Sequence, residues 1–352
     1  MPIFLVIIFL PVLILIHELG HFLAAKFFKV RVDEFGFGFP PRLFGKKFGE
    51  TTYTLNLLPF GGFVKIYGED GLALEKAEPE EKKRSFAGKP VWQRITIVLA
   101  GVFMNIILGW FLLGIVLSIG LPERLIITDV AENSPAFSAG LKPGDIIEKA
   151  AVSGTILENP IPVQSFVQLV KTHPGKEVIL SVLRGKTKTE SALFIRPEVP
   201  EGEGPIGVAL TEAGVPKESF PSGFLKSVEI TLINLELIAK SFFHLITSVF
   251  VQPSIVKNIS GPVGIVSLAH QAGELGILYF LQFAALISLN LVVLNLIPFP
   301  ALDGGRALVL VFEKIKGRSV SHKIQGIVNM VGFALLILLM VAVTVKDIGN
   351  LF

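Results

Sequence analysis

The sequence predicts a polytopic α-helical membrane protein into which a β-hairpin region and a compact α/β domain are inserted. Of its 352 residues, 51% are hydrophobic and only 17% are charged, whereas soluble domains carry about 25% charged residues. Four segments are long and apolar enough to cross a bilayer, which takes about 20 residues per helix. Two long stretches between these segments have the mixed polarity of folded structure outside the membrane.

The predicted spans are residues 3–25, 95–119, 277–297 and 325–345. No Lys or Arg precedes the first of them, which favours a retained spanning helix over a cleaved signal peptide. A fifth candidate, residues 224–251, has charges at scattered helical positions. That pattern favours an amphipathic helix at the membrane interface, so we expect about four transmembrane helices.

These segments predict four regions. They are residues 1–120 (two spans and an intervening β-loop), 121–210 (a soluble domain), 211–276 (a linker with the interfacial helix) and 277–352 (two spans). In the β-loop, "YTLNLLPFGGFVKIYG" (53–68) predicts a hairpin that turns at Pro59 and Gly61-Gly62. We expect a solvated loop at 75–84 and a short linker at 303–323.

Charge predicts the orientation and limits the partners. The short linker 303–323 is basic, and basic loops remain in the cytoplasm. With four spans, residues 26–90 then lie on the same side, while the soluble domain and both termini are extracytoplasmic. A further span at 224–251 would break this scheme. The small net charge of +3 does not indicate nucleic acid as a partner. The apolar spans predict that the protein is located in a cell (inner) membrane.

The first span contains the pattern H-E-x-x-H, formed by His17, Glu18 and His21. Residues four apart on a helix share one face, so the two imidazoles can bind one zinc ion. Glu18 can then act as general base toward a water in the open position of a catalytic zinc site. Ionisable groups within a span are rare and usually functional. The alternative is that these side chains reach the interface or pair with a neighbouring helix.

A third ligand must come from elsewhere in the chain. Since there are no cysteines, only His, Asp or Glu side chains can hold the metal. Asp303 follows a deeply apolar run, and Pro298 and Pro300 before it break the helix. Broken backbone at membrane depth is tolerated where it is buried in protein or lines a cavity. Asp303 is therefore a candidate ligand, the alternative being an acidic residue in an ordinary helix-ending turn.

Together, these motifs resemble the site-2 protease family of intramembrane zinc metalloproteases. HELGH in the first span and "NLIPFPALDGG" after a later one carry the resemblance. Further matching stretches are "GFGFPPRLF", "NLLPFGGFVKIYGED", "SFAGKPVWQRITIVLAGVFMN" and "SGPVGI". The resemblance covers essentially the whole chain and is nearest to the bacterial regulator of sigma-E protease type.

The resemblance implies specific roles for residues of this chain. The implied zinc ligands are His17, His21 and Asp303, and the implied catalytic base is Glu18. Asn295 matches an asparagine that contacts substrate near the zinc, and Asn290 is a weaker candidate for the same side of the substrate site. The family also implies a membrane-dipping β-hairpin within 26–90, whose strand edge could hold a substrate in extended form.

The stretch "ENSPAFSAGLKPGDIIEKA" (132–150) resembles the centre of a bacterial PDZ domain. Its pattern predicts a short helix from Ser134 that ends at Gly140, a turn at 143–145 and a strand from Ile146. A helix at 165–176 and an alternating strand should follow. A peptide C-terminus is the possible partner, the alternative being a passive spacer. The best-known relatives carry two such modules, but the space here holds one.

The expected function is intramembrane cleavage of single-span proteins already trimmed on the PDZ side. Substrates implied by the resemblance are anti-sigma factors and remnant signal peptides. Two alternatives remain open at this point. One is an H-E-x-x-H membrane protease that degrades soluble or misfolded proteins, and the other is a non-enzymatic PDZ scaffold.

Overall fold

The computed structural model describes residues 3–69, 78–185, 187–200, 202–249, 261–318 and 320–349. The helices are α1 (Ile3–Phe27), α2 (Pro79–Lys83), α3 (Val91–Ile119), α4 (Pro135–Ser138), α5 (Val163–Lys171), α6 (Phe220–Val249), α7 (Pro262–Leu275), α8 (Ile277–Leu296), α9 (Asp303–Lys316) and α10 (His322–Gly349). The strands are β1 (Val32–Phe48), β2 (Thr51–Ile66), β3 (Leu121–Val130), β4 (Ile146–Val152), β5 (Thr155–Glu158), β6 (Glu177–Arg184), β7 (Thr187–Phe194) and β8 (Val208–Val215).

Residue contacts divide the chain into two compact units. The helical unit comprises Met1–Leu113 and Lys226–Phe352, and the sheet unit comprises Gly114–Leu225. The predicted loop at 75–84 is a short helix where it is described, since α2 occupies Pro79–Lys83. Several parts of the sequence predictions lie outside the described residues, including Asp70 of the NLLPFGGFVKIYGED stretch, residues 75–77 of that loop, residues 250–251 of the predicted interfacial helix, and Ser260 of the SGPVGI motif.

Five helices in the described part of the chain are long and apolar enough to cross a membrane, judged by length and composition. Four of them, α1, α3, α8 and α10, correspond to the predicted spans. The fifth is residues 220–248 of α6, the segment that was expected at the interface. Its uninterrupted 30 residues are sufficient for either location, so the count of about four spans stays a prediction.

The β structure predicted between the first two spans is present, but its pairing differs from the prediction. Residues 42–48 of β1 pair with 51–56 of β2 around the turn at 49–50. Both 52–55 and 62–65 of β2 then lie opposite residues 34–37 of β1, on its two sides. The expected hairpin within 53–68 is therefore wrong, because its two arms flank β1 instead of pairing with each other.

The break after α8 has the physical cause that the sequence indicated, but a helix follows it. Pro298 and Pro300 lie just beyond the end of α8, and Ala301 has a positive φ of 73°. A Cβ on Gly304 would be only 2.3 Å from the carbonyl oxygen of Leu296, so glycine permits the chain to fold back closely. The predicted linker at 303–323 is wrong, since α9 occupies Asp303–Lys316.

The sheet unit contains a sheet of strand order β7-β6-β4-β3-β8, with β5 paired to β4. Its core is built from buried aliphatic side chains of the strands, of α4 and α5 and of the connecting segments, together with Phe166 of α5. Ser134 caps α4 by accepting a hydrogen bond from the Phe137 N–H at 3.1 Å, and Gly140 follows with φ 74°. The predicted helix start at Ser134 and strand start at Ile146 are thus confirmed. The last strand runs to Val215, beyond the predicted boundary at 210.

A buried ion pair connects α3 to α9 within the helical unit. The side chains of Arg94 and Glu313 are only 10% and 5% exposed and form a salt bridge. The other carboxylate oxygen of Glu313 accepts hydrogen bonds from the Val320 N–H at 2.9 Å and Gln325 Nε2 at 3.1 Å. Glu313 therefore joins α3, the end of α9 and the start of α10.

Glu313→Ala should destabilise the protein strongly, because it leaves the Arg94 guanidinium buried without its counter-ion. Breaking one side of a buried pair costs about 3–5 kcal/mol. The expected result is a clear fall in the thermal unfolding midpoint of the detergent-solubilised chain. Glu80→Ala is the control, since its pair with Lys83 is exposed and should leave the midpoint unchanged. Equal midpoints for both variants would contradict this role of Glu313.

Candidate metal centre

The two histidines of α1 face one acidic residue at the start of α9. His17 Nε2 and His21 Nε2 are 3.2 Å apart, as expected for residues one turn apart on a helix. Asp303 Oδ2 lies 3.0 Å from His17 Nε2 and 3.4 Å from His21 Nε2. All three residues are buried, and they form a group able to hold a metal ion.

The spacing of these three atoms fits zinc. Ligand atoms about 2.0–2.1 Å from a tetrahedral zinc ion lie roughly 3.3 Å from one another. The observed separations of 3.0, 3.2 and 3.4 Å surround that value. Two imidazole nitrogens and a carboxylate oxygen are also donor types that zinc binds, each in its deprotonated form.

Helix α3 contacts both imidazoles at their Nδ1 atoms. His21 Nδ1 is 2.8 Å from the carbonyl oxygen of Ile97, so this nitrogen carries a proton and Nε2 is the atom that faces Asp303. His17 Nδ1 is 3.3 Å from the side-chain amide of Asn105. Both Nδ1 atoms thus have partners on α3, while both Nε2 atoms are directed toward Asp303.

Gly101, midway between those two contacts, provides the space for the rings. A Cβ at this position would lie 2.5 Å from His21 Nε2 and 2.7 Å from His17 Cε1. No real Cβ makes such contacts, so any larger residue would displace the imidazoles. The centre therefore depends on a glycine that the sequence patterns did not single out.

Glu18 lines the same cavity as the three metal-facing residues. The cavity has a volume of about 360 Å³. It is lined by Ile14, His17, Glu18, His21, Val64, Ile66, Glu69, Ile97, Val98, Leu291, Asn295, Ala301, Leu302, Asp303 and Arg306. The expected juxtaposition of H-E-x-x-H with Asp303 is thus present, with room beside it for water and a peptide group.

The two candidate asparagines of α8 have different surroundings. Asn295 lines the cavity, as expected for a residue that contacts substrate. Asn290 donates a hydrogen bond from Nδ2 to the Leu286 carbonyl of its own helix at 2.8 Å. It does not belong to the described cavity lining, so the structure brings only Asn295 to the metal centre.

An ion pair that sequence patterns did not single out forms part of the cavity lining. Arg306 on α9 pairs with Glu69, which follows β2, and both side chains line the cavity. Arg306 comes three residues after Asp303 and hence lies near the same face of α9. The LDGG motif at 302–305 directly precedes Arg306 and could have drawn attention to this residue. Its partner Glu69 is 237 residues away in the chain and could not be predicted from the sequence.

Comparisons with known proteins agree on one family over nearly the whole chain. The family model described as peptidase family M50 matches residues 5–339. The zinc metalloprotease RasP of Shouchella clausii is 34% identical, with 97% of each chain covered. The regulator of sigma-W protease RasP of Bacillus subtilis is 31% identical, with 98% of each chain covered.

Gly101→Ala should abolish tight metal binding, because the new methyl group occupies the space of both imidazoles. Loss of ligand orientation typically weakens metal affinity about 10–100-fold, and we expect at least the upper part of that range. The measurement is zinc affinity of the purified chain by chelator competition. Alanine favours a helix by about 1 kcal/mol over glycine, so poorer helix formation cannot explain the loss.

Gly326→Ala on α10 is the matched control for this change. A Cβ at Gly326 meets no atom within 4 Å, so this variant should bind zinc like the wild type. Wild-type affinity in Gly101→Ala would contradict the close packing of α3 against the two rings.

Proposed function

Because the chain belongs to peptidase family M50, we propose that it is an intramembrane zinc endopeptidase that cuts the spanning segments of single-span membrane proteins. The observation that carries this proposal is the convergence of His17, His21 and Asp303 beside Glu18. Two of these residues and the glutamate lie on a helix apolar enough to cross a membrane. Such a location would bring the chemistry within reach of a membrane-embedded peptide.

The three converging side chains are the proposed zinc ligands. His17 and His21 would bind through Nε2 and Asp303 through Oδ2, the atoms that face one another. When bound by three such groups, zinc acts as a Lewis acid that polarises a carbonyl and acidifies water. The hydrogen bond from His21 Nδ1 to the Ile97 carbonyl fixes the ring in the tautomer that this requires.

Glu18 is the proposed general base. Its side chain is half-buried and lines the same cavity as the metal-facing residues. It takes a proton from the attacking water and later gives that proton to the leaving amide nitrogen, as one carboxyl group can do in both steps. Because Glu18 adjoins His17 on α1, the same helix positions both the base and a ligand.

The substrate is proposed to bind in extended form. Residues 62–66 of β2 pair with β1 on one side, and no described strand pairs with their other side. Val64 and Ile66 line the cavity, so a peptide added to this edge would bring its carbonyls toward the metal centre. Asn295, which lines the same cavity, is proposed to hold the substrate strand by hydrogen bonds. A helical substrate must unwind first, because its carbonyls are otherwise occupied.

The sheet unit is proposed to be a single PDZ domain, predicted at residues 121–210 and extended to Val215 by the end of β8. Its edge strand β8 lies beside α5, which is the arrangement that admits a peptide strand in PDZ domains. The ligand would be a peptide C-terminus, and a size filter that excludes bulky substrates is the alternative. The other proposed regions are 1–120, 211–276 and 277–352.

In the proposed orientation, the sheet unit and both termini are extracytoplasmic and the metal centre lies near the cytoplasmic side of the cell (inner) membrane. This follows from the basic residues of 303–323, under the positive-inside rule. It assumes four spans, with α6 at the interface. Substrates would therefore be trimmed on the extracytoplasmic side before cleavage.

The name of the Bacillus subtilis relative, regulator of sigma-W protease, supports anti-sigma factors as a substrate class. Remnant signal peptides are the second class, since they too are short single spans. A protease of soluble or misfolded proteins would cleave a soluble reporter equally well. A non-enzymatic scaffold would cleave neither and need not contain zinc.

Glu18→Gln should retain zinc and lose cleavage, because the change removes only the proton acceptor. General-base catalysis contributes about 10²–10⁴-fold, and we expect a loss of that size. The measurement is cleavage of a co-expressed single-span reporter with a short outer tail, together with the zinc content of each purified chain.

Glu80→Gln, the same change at an exposed helix position, is the control and should behave like the wild type. A soluble reporter bearing the same peptide tests whether a transmembrane substrate is required. Full activity in Glu18→Gln would contradict the assigned role, and equal cleavage of both reporters would favour the protease of soluble proteins.

A further inference from the structure

Helix α3 provides three consecutive contacts to the metal centre at positions four apart. The Ile97 carbonyl contacts His21, Gly101 leaves space for both rings, and the Asn105 amide faces His17. A spacing of four keeps these positions on one helix face. Of the two histidines, only His17 has a side chain as its Nδ1 partner, so only this contact can be removed by substitution.

Asn105 is completely buried, and one end of its amide has no hydrogen-bond partner in the described structure. That end is Oδ1, and the amide nitrogen Nδ2 lies 3.3 Å from His17 Nδ1. A polar side chain deep within a spanning helix is costly unless it is used. The contact between this amide and His17 therefore indicates the role of Asn105.

The chemistry of a metal-bound imidazole specifies what that contact must be. A histidine that binds metal through Nε2 carries its proton on Nδ1, and this N–H needs an acceptor. The oxygen and nitrogen of an asparagine amide are assigned from their partners. Next to an Nδ1–H, the amide presents its oxygen, which accepts the hydrogen bond.

We propose that Asn105 is a positioning residue, whose amide oxygen accepts the His17 Nδ1–H and holds Nε2 toward the metal. This rests on the proposed function, in which His17 is a zinc ligand. Asn105 does for His17 what the Ile97 carbonyl does for His21. Helix α3 thereby orients both rings, although it contributes no ligand of its own.

The position of Asn105 is held from a second helix, and this offers a control. Ser288 Oγ on α8 donates a hydrogen bond to the backbone carbonyl of Asn105 at 2.9 Å. Ser288→Ala removes a buried contact of the same residue but leaves its amide intact. If Asn105 had a purely structural role, Ser288→Ala and substitutions of Asn105 would affect zinc affinity alike. If it positions His17, only the substitutions of Asn105 lower zinc affinity.

The test is zinc affinity of the purified full chain in detergent, measured by chelator competition. Asn105→Leu keeps approximate size but has no acceptor, and its affinity should fall about 10–100-fold. Asn105→Asp keeps an oxygen acceptor and should bind within about threefold of the wild type. Ser288→Ala should lower the thermal midpoint without changing zinc affinity. The absorption bands of the Co²⁺-substituted chain should change in Asn105→Leu only.

Wild-type zinc affinity in Asn105→Leu would overturn the proposal, as would an Asn105→Asp variant as weak as the leucine variant. If Asn105→Leu does not fold, Asn105→Ala replaces it, with the same expected fall and the same contradicting result. Failure of the proposed function is recognised separately, because the wild-type chain itself would then bind no stoichiometric zinc.

Discussion

The structure depends on the cost of burying two imidazoles and a carboxylate among apolar helices. Such groups are stable at that depth only when they are paired, hydrogen-bonded or bound to a cation. Here His17, His21 and Asp303 face one another at 3.0–3.4 Å, and the outward nitrogens of both rings have partners on α3. The rest of the helical unit is arranged so that these three side chains can meet.

Two backbone features make that meeting possible. The break after α8 turns the chain back and begins α9 at Asp303, so a carboxylate at a helix start reaches α1. Glycines allow the required close approaches: a Cβ on Gly20 would be 2.3 Å from the Ala100 carbonyl oxygen, and Gly101 leaves room for the rings. The buried Arg94–Glu313 pair then holds the far end of α9 against α3.

The local parts of this centre could be predicted from sequence, and the non-local parts could not. His17, Glu18 and His21 share a helix, and helical periodicity alone puts the two histidines together; Asp303 needed the two prolines as well. The contacts of Asn105 and the Glu69–Arg306 pair depend on tertiary packing. The predicted hairpin at 53–68 is wrong because residues 34–37 of β1 lie between its two arms. The basic stretch after Asp303 resembled a loop, although α9 is amphipathic.

The most direct test is X-ray absorption at the zinc edge of the purified chain, wild type and Asp303→Ala. The account predicts about one zinc per wild-type chain, with two imidazoles and further oxygen ligands about 2.0–2.2 Å away. In Asp303→Ala, zinc occupancy should fall, and one oxygen ligand should be lost from any zinc that remains. Unchanged occupancy and coordination in this variant, or a wild-type site without two imidazoles, would contradict the account.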